Sequence, residues 1–313
     1  MTQLPEEPII KTSGLSRTFK KVEALKQVDL VVNPGDLLGI VGPDGAGKTT
    51  LLRLLAGLLD ITEGEATVMG LDLRSQSEAI KSHTGYMAQQ FSLYEELSVM
   101  ENLRFFAEMF NVSLKEFSDR YPGLLEFAGL TEFQERRADQ LSGGMQKKLA
   151  LACTLVHQPK ILLLDEPTTG VDPVSRREFW NILTDLHLQG TTIIVSTPYM
   201  DEADRCSMVG LLFEGQLIEY DTPQQIRDKL SSEIIEVRSQ DWRKVYQVVQ
   251  DLPGIEEMQT YGESLHLLVD SGRKRMLSIK RAIRKAKIRN AEIRLAPVRM
   301  EEAFISRIRR LKE

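Results

Sequence analysis

Nine residues, Gly-Pro-Asp-Gly-Ala-Gly-Lys-Thr-Thr at 42–50, constrain this chain more than any other stretch. They follow the apolar run LLGIV (37–41) and open the pattern TTLLRLLAGLL, so a glycine-rich turn joins a buried strand to a helix. This is G-x-x-x-x-G-K-[ST] in the strand-then-helix setting that the motif requires. Gly42, Gly45 and Gly47 let the backbone curl until its N–H groups face phosphate oxygens, at a helix N-terminus worth about half a positive charge. Pro43, Asp44 and Ala46 complete the loop. Lys48 brings a full charge toward the β- and γ-phosphates, Thr49 offers a hydroxyl to Mg²⁺, and Thr50 continues the first helical turn. By itself the motif implies a nucleoside triphosphate and says nothing of the use made of it.

Two further motifs narrow that use. In ILLLDEP (161–167) four apolar residues end in Asp165 and Glu166. A carboxylate at the carboxyl end of a strand beside a phosphate loop can hold Mg²⁺ through water, the role expected of Asp165. Strand alternation would turn Glu166 the other way, leaving it to address the attacking water as general base or water-positioning group. LSGGMQKKLALACTL (141–155) places Ser142, Gly143 and Gly144 at a helix start, a second cluster of backbone N–H groups suited to an anion. One phosphate loop has little use for two cradles. A dimer resolves this, each nucleotide lying between the loop of one subunit and the Ser-Gly-Gly cradle of the other.

The ordered set of phosphate loop, signature, carboxylate pair and following loop resembles the nucleotide-binding subunit of an ABC transporter over residues of about 9–230. The resemblance implies ATP as ligand, Mg²⁺ as cofactor and a homo- or heterodimer of such subunits. It implies that Phe19 stacks on adenine, the bland alternative being a core phenylalanine at a strand end. It assigns Gln89 to the metal or water and to coupling with a membrane subunit, with Gln90 as competitor, and it places Asp172 of TTGVDP in a loop crossing the dimer interface. Met145 stands where many relatives have glutamine. FSLYEELSVMENLRFFAEMF (91–110) and the C-terminal extension are similar to subunits that energise ABC-2-type exporters, whose membrane helices come from a separate permease. Relatives typically read Ser-Thr-His-Tyr-Met-Asp-Glu-Ala where this chain reads STPYMDEA, so Pro198 replaces a histidine. Proline has neither N–H nor ring nitrogen for a phosphate or a water. The backbone tolerates it, in the first turn of a helix capped by Thr197.

Alternation of LLGIV, ILLLD and TTIIVS (191–196) with helical patterns implies an α/β fold with a mainly parallel sheet, preceded by antiparallel strands in IIKTSGLSRTF and LKQVDLVVNPGD. We expect a P-loop NTPase domain of the ABC type at 1–230, with a helical subdomain at about 91–150 in which YPG (121–123) acts as a break. Residues 233–313 carry strand and helix patterns in the order βαββαβ, a small α+β ferredoxin-like domain. Charge separates the two parts: residues 271–313 hold 15 Lys+Arg against 4 Asp+Glu, while the rest of the chain holds 25 against 41. In RKRMLSIKRAIRKAKIR (273–289), Met276, Ile279, Ile283 and Ala286 share one helical face among cations. The readings are a solvated helix packed on its own domain, or contact with anionic lipid or an acidic partner. Nucleic-acid binding is disfavoured, since aromatics are not interleaved. Cys153 and Cys206 fit no metal or redox spacing and read as idle thiols. No leader or membrane-length apolar run is visible, so the expected location is peripheral, on the cytoplasmic face of the membrane. An ATPase driving transport is the leading reading. The alternatives are a subunit that binds ATP but hydrolyses it weakly because of Pro198, and a soluble ABC ATPase acting on ribosomes or DNA.

Overall fold

The computed structural model describes residues 7–90, 93–230 and 232–312. They form two compact units, Met1–Pro223 and Gln224–Glu313. In the first, a six-stranded sheet has the order β10-β9-β3-β8-β7-β6, built from β3 (Leu37–Val41), β6 (Thr84–Met87), β7 (Ile161–Asp165), β8 (Thr192–Thr197), β9 (Met208–Phe213) and β10 (Gln216–Asp221). All neighbours are parallel except the edge pair β9–β10. Every residue of β3, β7 and β8 is buried, which explains their unbroken apolar character: both faces of these strands are covered. A second, antiparallel sheet has the order β2-β1-β4-β5, from β1 (Ile10–Phe19), β2 (Val22–Val32), β4 (Glu63–Val68) and β5 (Leu71–Asp72).

Helix α1 (Lys48–Leu55) follows the phosphate loop, and α2 (Ser77–His83) precedes β6. Then come α3 (Val99–Met109), α4 (Leu114–Ala128) and α5 (Gly143–Leu155). Complete capping boxes, Ser98 with Glu101 and Ser113 with Glu116, start α3 and α4 and satisfy N–H groups that a helix end leaves without partners. The YPG break is a correction, because Pro122 lies inside α4. Pro122 and Gly123 are on the exposed face while Phe117, Leu125 and Ala128 are buried. Water can therefore serve the carbonyl that proline leaves unpaired, and packing of the apolar stripe carries the helix through. Helices α6 (Pro173–Leu188), α7 (Met200–Ala203) and α8 (Pro223–Asp228) follow.

The second unit runs β11 (Glu233–Arg238), α9 (Trp242–Val249), β12 (Ile255–Tyr261), β13 (Ser264–Val269), α10 (Gly272–Lys285), β14 (Glu292–Ala296) and α11 (Met300–Lys312). Its antiparallel sheet has the order β12-β13-β11-β14, the interleaving of a ferredoxin-like βαββαβ unit with one added helix. Ile235, Val237, Leu265 and Leu267 form its core with Val245 and Val249 of α9 and Ile279 and Ile283 of α10. Met276 packs at the edge of that core, whereas Ala286 is exposed just past the last turn of α10. On the opposite sheet face, buried His266 meets buried Glu302 of α11 at 2.6 Å. Cys153 and Cys206 are buried, which pushes both thiols well above their ordinary range. Among the described residues no helix is long and apolar enough to cross a membrane.

Candidate nucleotide site

The chain leaves β3 into Gly42, whose N–H donates to the carbonyl of Thr197 at the end of β8, 3.4 Å away. A Cβ on Gly42 would lie 2.1 Å from the carbonyl oxygen of Leu212, and one on Gly47 2.6 Å from that of Ala24. Gly47 also has φ +108° and stands at the N-cap of α1, where it offers no side chain to the first helical N–H groups. Those donors are left for an anion, as the motif requires. Lys48 is buried and folds back over the loop, donating to the carbonyls of Gly42 (2.9 Å) and Pro43 (3.1 Å).

Asp165 and Glu166 both turn toward this loop. Alternation does not separate them, contrary to the sequence expectation: β7 ends at Asp165, and Glu166 adopts φ +46°, a left-handed backbone that costs a non-glycine residue about 1–3 kcal/mol. The turn is held because the Glu166 N–H donates to Ser196, to its carbonyl at 3.1 Å and its hydroxyl oxygen at 3.0 Å. The Ser196 hydroxyl in turn donates to Asp165 Oδ1 at 2.7 Å, and Thr49 Oγ1 donates to the same oxygen at 3.1 Å. Glu166 pairs with Lys48 at 3.0 Å through one carboxylate oxygen, and the other accepts the Gln89 amide at 2.8 Å. Of the two adjacent glutamines, Gln89 makes the contact. Ser196 and Lys147, whose ammonium donates to the Gln89 carbonyl at 2.8 Å, were not singled out from sequence. A hydroxyl at the end of a strand adjacent to the DE strand was the available signal for Ser196. For Lys147 there was none, because its partner is a backbone atom.

The remaining expected residues stand apart from this hydrogen-bonded group. Ser142 is the N-cap of α5, exposed, its Oγ accepting the Met145 N–H at 3.3 Å. Gly143 is exposed beside it, and Gly144 is packed so closely that a Cβ would lie 2.5 Å from the Ser175 side chain. Asp172 is the N-cap of α6, accepting from the N–H groups of Val174 and Ser175 at 3.0 Å, and hydrogen bonding from Ser175 holds its carboxyl below the usual range. Phe19 is 40% exposed at the end of β1 with the Arg17 guanidinium 4.6 Å over its ring, which rules out the core reading.

After β8 the structure corrects the expected capping. Pro198 forms a bend outside α7, Tyr199 is at the N-cap position, and Thr197 Oγ1 accepts the Tyr199 N–H at 3.0 Å. The Thr197 hydroxyl itself donates to buried Glu202, which also accepts from Thr168 Oγ1 (2.8 Å) and Arg176 Nε (2.6 Å). Glu202 therefore ties the loop after Glu166, the first turns of α6 and the Pro198 segment together. Burial of this carboxylate calls for such a network, in which Arg176 supplies the counter-charge and the two hydroxyls further hydrogen bonds.

Beside β6, which leads to Gln89, lies a cleft of about 370 Å³ between Leu58, Tyr86, Phe106, Met109, Phe110 and His157. Leu58 and Met109 are 48% and 52% exposed. His157 stacks flat on Phe110, centroids 3.8 Å apart, and burial lowers its ring to about 4. Among the described residues the buried Thr84 hydroxyl has no hydrogen-bond partner.

A family model described as ABC transporter matches residues 25–169. The probable multidrug ABC transporter ATP-binding protein YbhF of Escherichia coli K12 is 42% identical over 267 residues, 84% of this chain and 46% of that protein. The Nod factor export ATP-binding protein I of Sinorhizobium fredii is 34% identical over 258 residues, 82% of this chain and 75% of that protein. This chain belongs to the ABC transporter family. It spans about half the length of YbhF, whose 46% coverage contrasts with 75% for the daunorubicin resistance ATP-binding protein DrrA2 of Streptomyces coeruleorubidus, 34% identical over 242 residues. Among solved structures, a dimeric ATP-binding cassette in a post-hydrolysis state with ADP and phosphate aligns at TM-score 0.63 and 28% identity, over 68% of this chain and 98% of that one. CbiO1 of Clostridium perfringens, part of an ABC transporter complex, aligns at TM-score 0.66 and 26% identity, over 79% and 97%. Residues 1–223 of this chain contain every residue assigned above to the ABC cassette site.

Proposed function

We propose that this ABC cassette is the ATP-binding and ATP-hydrolysing subunit that energises export through a separate ABC-2-type permease, working as a dimer at the cytoplasmic face of the membrane. The observation that carries this reading is the convergence of Lys48, Glu166 and Gln89, with Glu166 bonded to both of the others, beside the Thr49–Asp165 pair. The loop from Gly42 to Thr50 takes the phosphates, Phe19 takes the base by stacking, and Ser142, Gly143, Gly144 and Asp172 serve the nucleotide of the facing subunit. Thr49 and Asp165 present hard oxygens 3.1 Å apart, a donor set suited to Mg²⁺, with Gln89 as the third candidate. When bound, Mg²⁺ neutralises charge on the β- and γ-phosphates. Lys48 exchanges its carbonyl and Glu166 contacts for phosphate oxygens, which frees Glu166 to accept a proton from the attacking water while Gln89 orients its carboxylate. Relatives of the Nod factor group are named for export, which supports that direction. The cleft beside β6, with Leu58 and Met109 exposed in its apolar lining, supports a membrane subunit docking next to the Gln89 loop.

Pro198 favours a second reading, in which this subunit's own site is slow and a partner subunit's is fast. The test of the main reading is a pair of variants. Lys48→Ala should nearly abolish ATP binding. Glu166→Gln should bind ATP at least as tightly as the parent, because Lys48 loses its carboxylate partner, and turn over about 10²- to 10⁴-fold more slowly. Equal ATP affinity in the parent and Lys48→Ala, by equilibrium binding of labelled ATP, would refute the phosphate-loop assignment.

A further inference from the structure

Lys147 lies on α5 five residues beyond Ser142, about 7.5 Å along the axis from the Ser-Gly-Gly cradle. Its side chain is half-buried and makes no ion pair among the described residues, and burial lowers its ammonium below the usual lysine range. The ammonium donates to one backbone oxygen, the Gln89 carbonyl at 2.8 Å, and lies within electrostatic reach of Asp165 and Glu166. Gln89 donates its amide to Glu166, also at 2.8 Å, and Glu166 pairs with Lys48 at 3.0 Å. An unbroken path of polar contacts thus joins the helix whose N-terminus is the cradle to the carboxylate expected to address water. A methionine would fill the same half-buried position without the desolvation cost, so packing alone does not account for a charge here.

We propose that Lys147 is a positioning residue that couples the cradle of one subunit to Glu166 of the same subunit, by holding the Gln89 loop to α5. The inference rests on the ATPase dimer reading. A 13-residue helix moves as a rod, so displacement of its N-terminus on engaging the facing nucleotide carries Lys147 with it. The Gln89 carbonyl follows, and with it the amide that orients Glu166. Hydrolysis in one site then responds to occupancy of the other, through contacts internal to one chain.

The experiment compares Lys147→Met and Lys147→Arg with the parent in the full chain. Three quantities are measured: hydrogen–deuterium exchange of the segment containing Gln89 and Gln90, equilibrium ATP binding, and turnover as a function of ATP concentration. Lys147→Met should speed exchange in that segment, lower kcat about tenfold at unchanged ATP affinity, and flatten the steepness of the rate against ATP. Lys147→Arg retains a donor and should recover most of the rate and protection. Parent-like exchange in Lys147→Met, or equal impairment of both variants, overturns the proposal. If the parent chain binds ATP without hydrolysing it, the hydrolysis reading fails, and the exchange comparison still decides whether Lys147 holds the loop.

Discussion

Pro198 is one residue past Thr197, whose carbonyl receives the Gly42 N–H, so the missing imidazole would have stood at the edge of the phosphate loop. Proline offers that position neither donor nor acceptor nitrogen, while Thr197 and Glu202 hold the surrounding backbone through their own bonds. Pro198→His is therefore expected to fold normally and to raise turnover about tenfold at similar ATP affinity, with rate and affinity measured separately in the assembled complex. No rise would mean that the site is rebuilt around proline, with Tyr199 or a partner group in the histidine's place. Most single residues of the site were legible because their chemistry is local: glycines, a lysine and a hydroxyl at fixed spacing. The positive φ of Glu166 was not, since nothing in ILLLDEP distinguishes a strand that continues from one that turns at its last residue. The turn is made by Ser196, thirty residues downstream.

Helix α5 shows how one element serves two neighbours. At its start Gly144 packs against Ser175 of α6, where a Cβ would sit 2.5 Å from both the Cβ and the Oγ of that serine, while a Cβ on Gly143 would meet nothing within 4 Å. Gly144→Ala must push α5 and α6 apart and is expected to lower stability by about 1–3 kcal/mol, whereas Gly143→Ala should leave the folded state within about 1 kcal/mol of the parent. Thermal melts of the two variants check this, and equal destabilisation would show that the contact with Ser175 does not limit packing. Helix α4 teaches the converse about reading sequence. YPG looked like a break because proline and glycine are poor helix formers, yet their exposed placement and the burial of Phe117 and Leu125 let tertiary packing override the local preference.

At the scale of the whole molecule, each compact unit has its own sheet and core. A fragment of residues 1–230 is expected to bind labelled ATP with parent affinity, because the candidate ligands all lie within it, and a fragment of residues 224–313 is expected to fold alone into its four-stranded sheet. Loss of ATP binding in the first, or a disordered amide spectrum for the second, would show that the units fold only together. The three fully buried parallel strands, the βαββαβ order after residue 233, the phosphate loop and the signature were determined by the sequence alone, because apolar periodicity and glycine spacing act within a few residues of chain. Tertiary structure decided which groups meet. Asp165, Glu166, Gln89, Lys48, Ser196 and Lys147 come from five separated segments, and their contacts depend on which strand lies beside which. The β7–β8 pairing places Asp165 opposite Ser196, a long-range fact that no local pattern encodes.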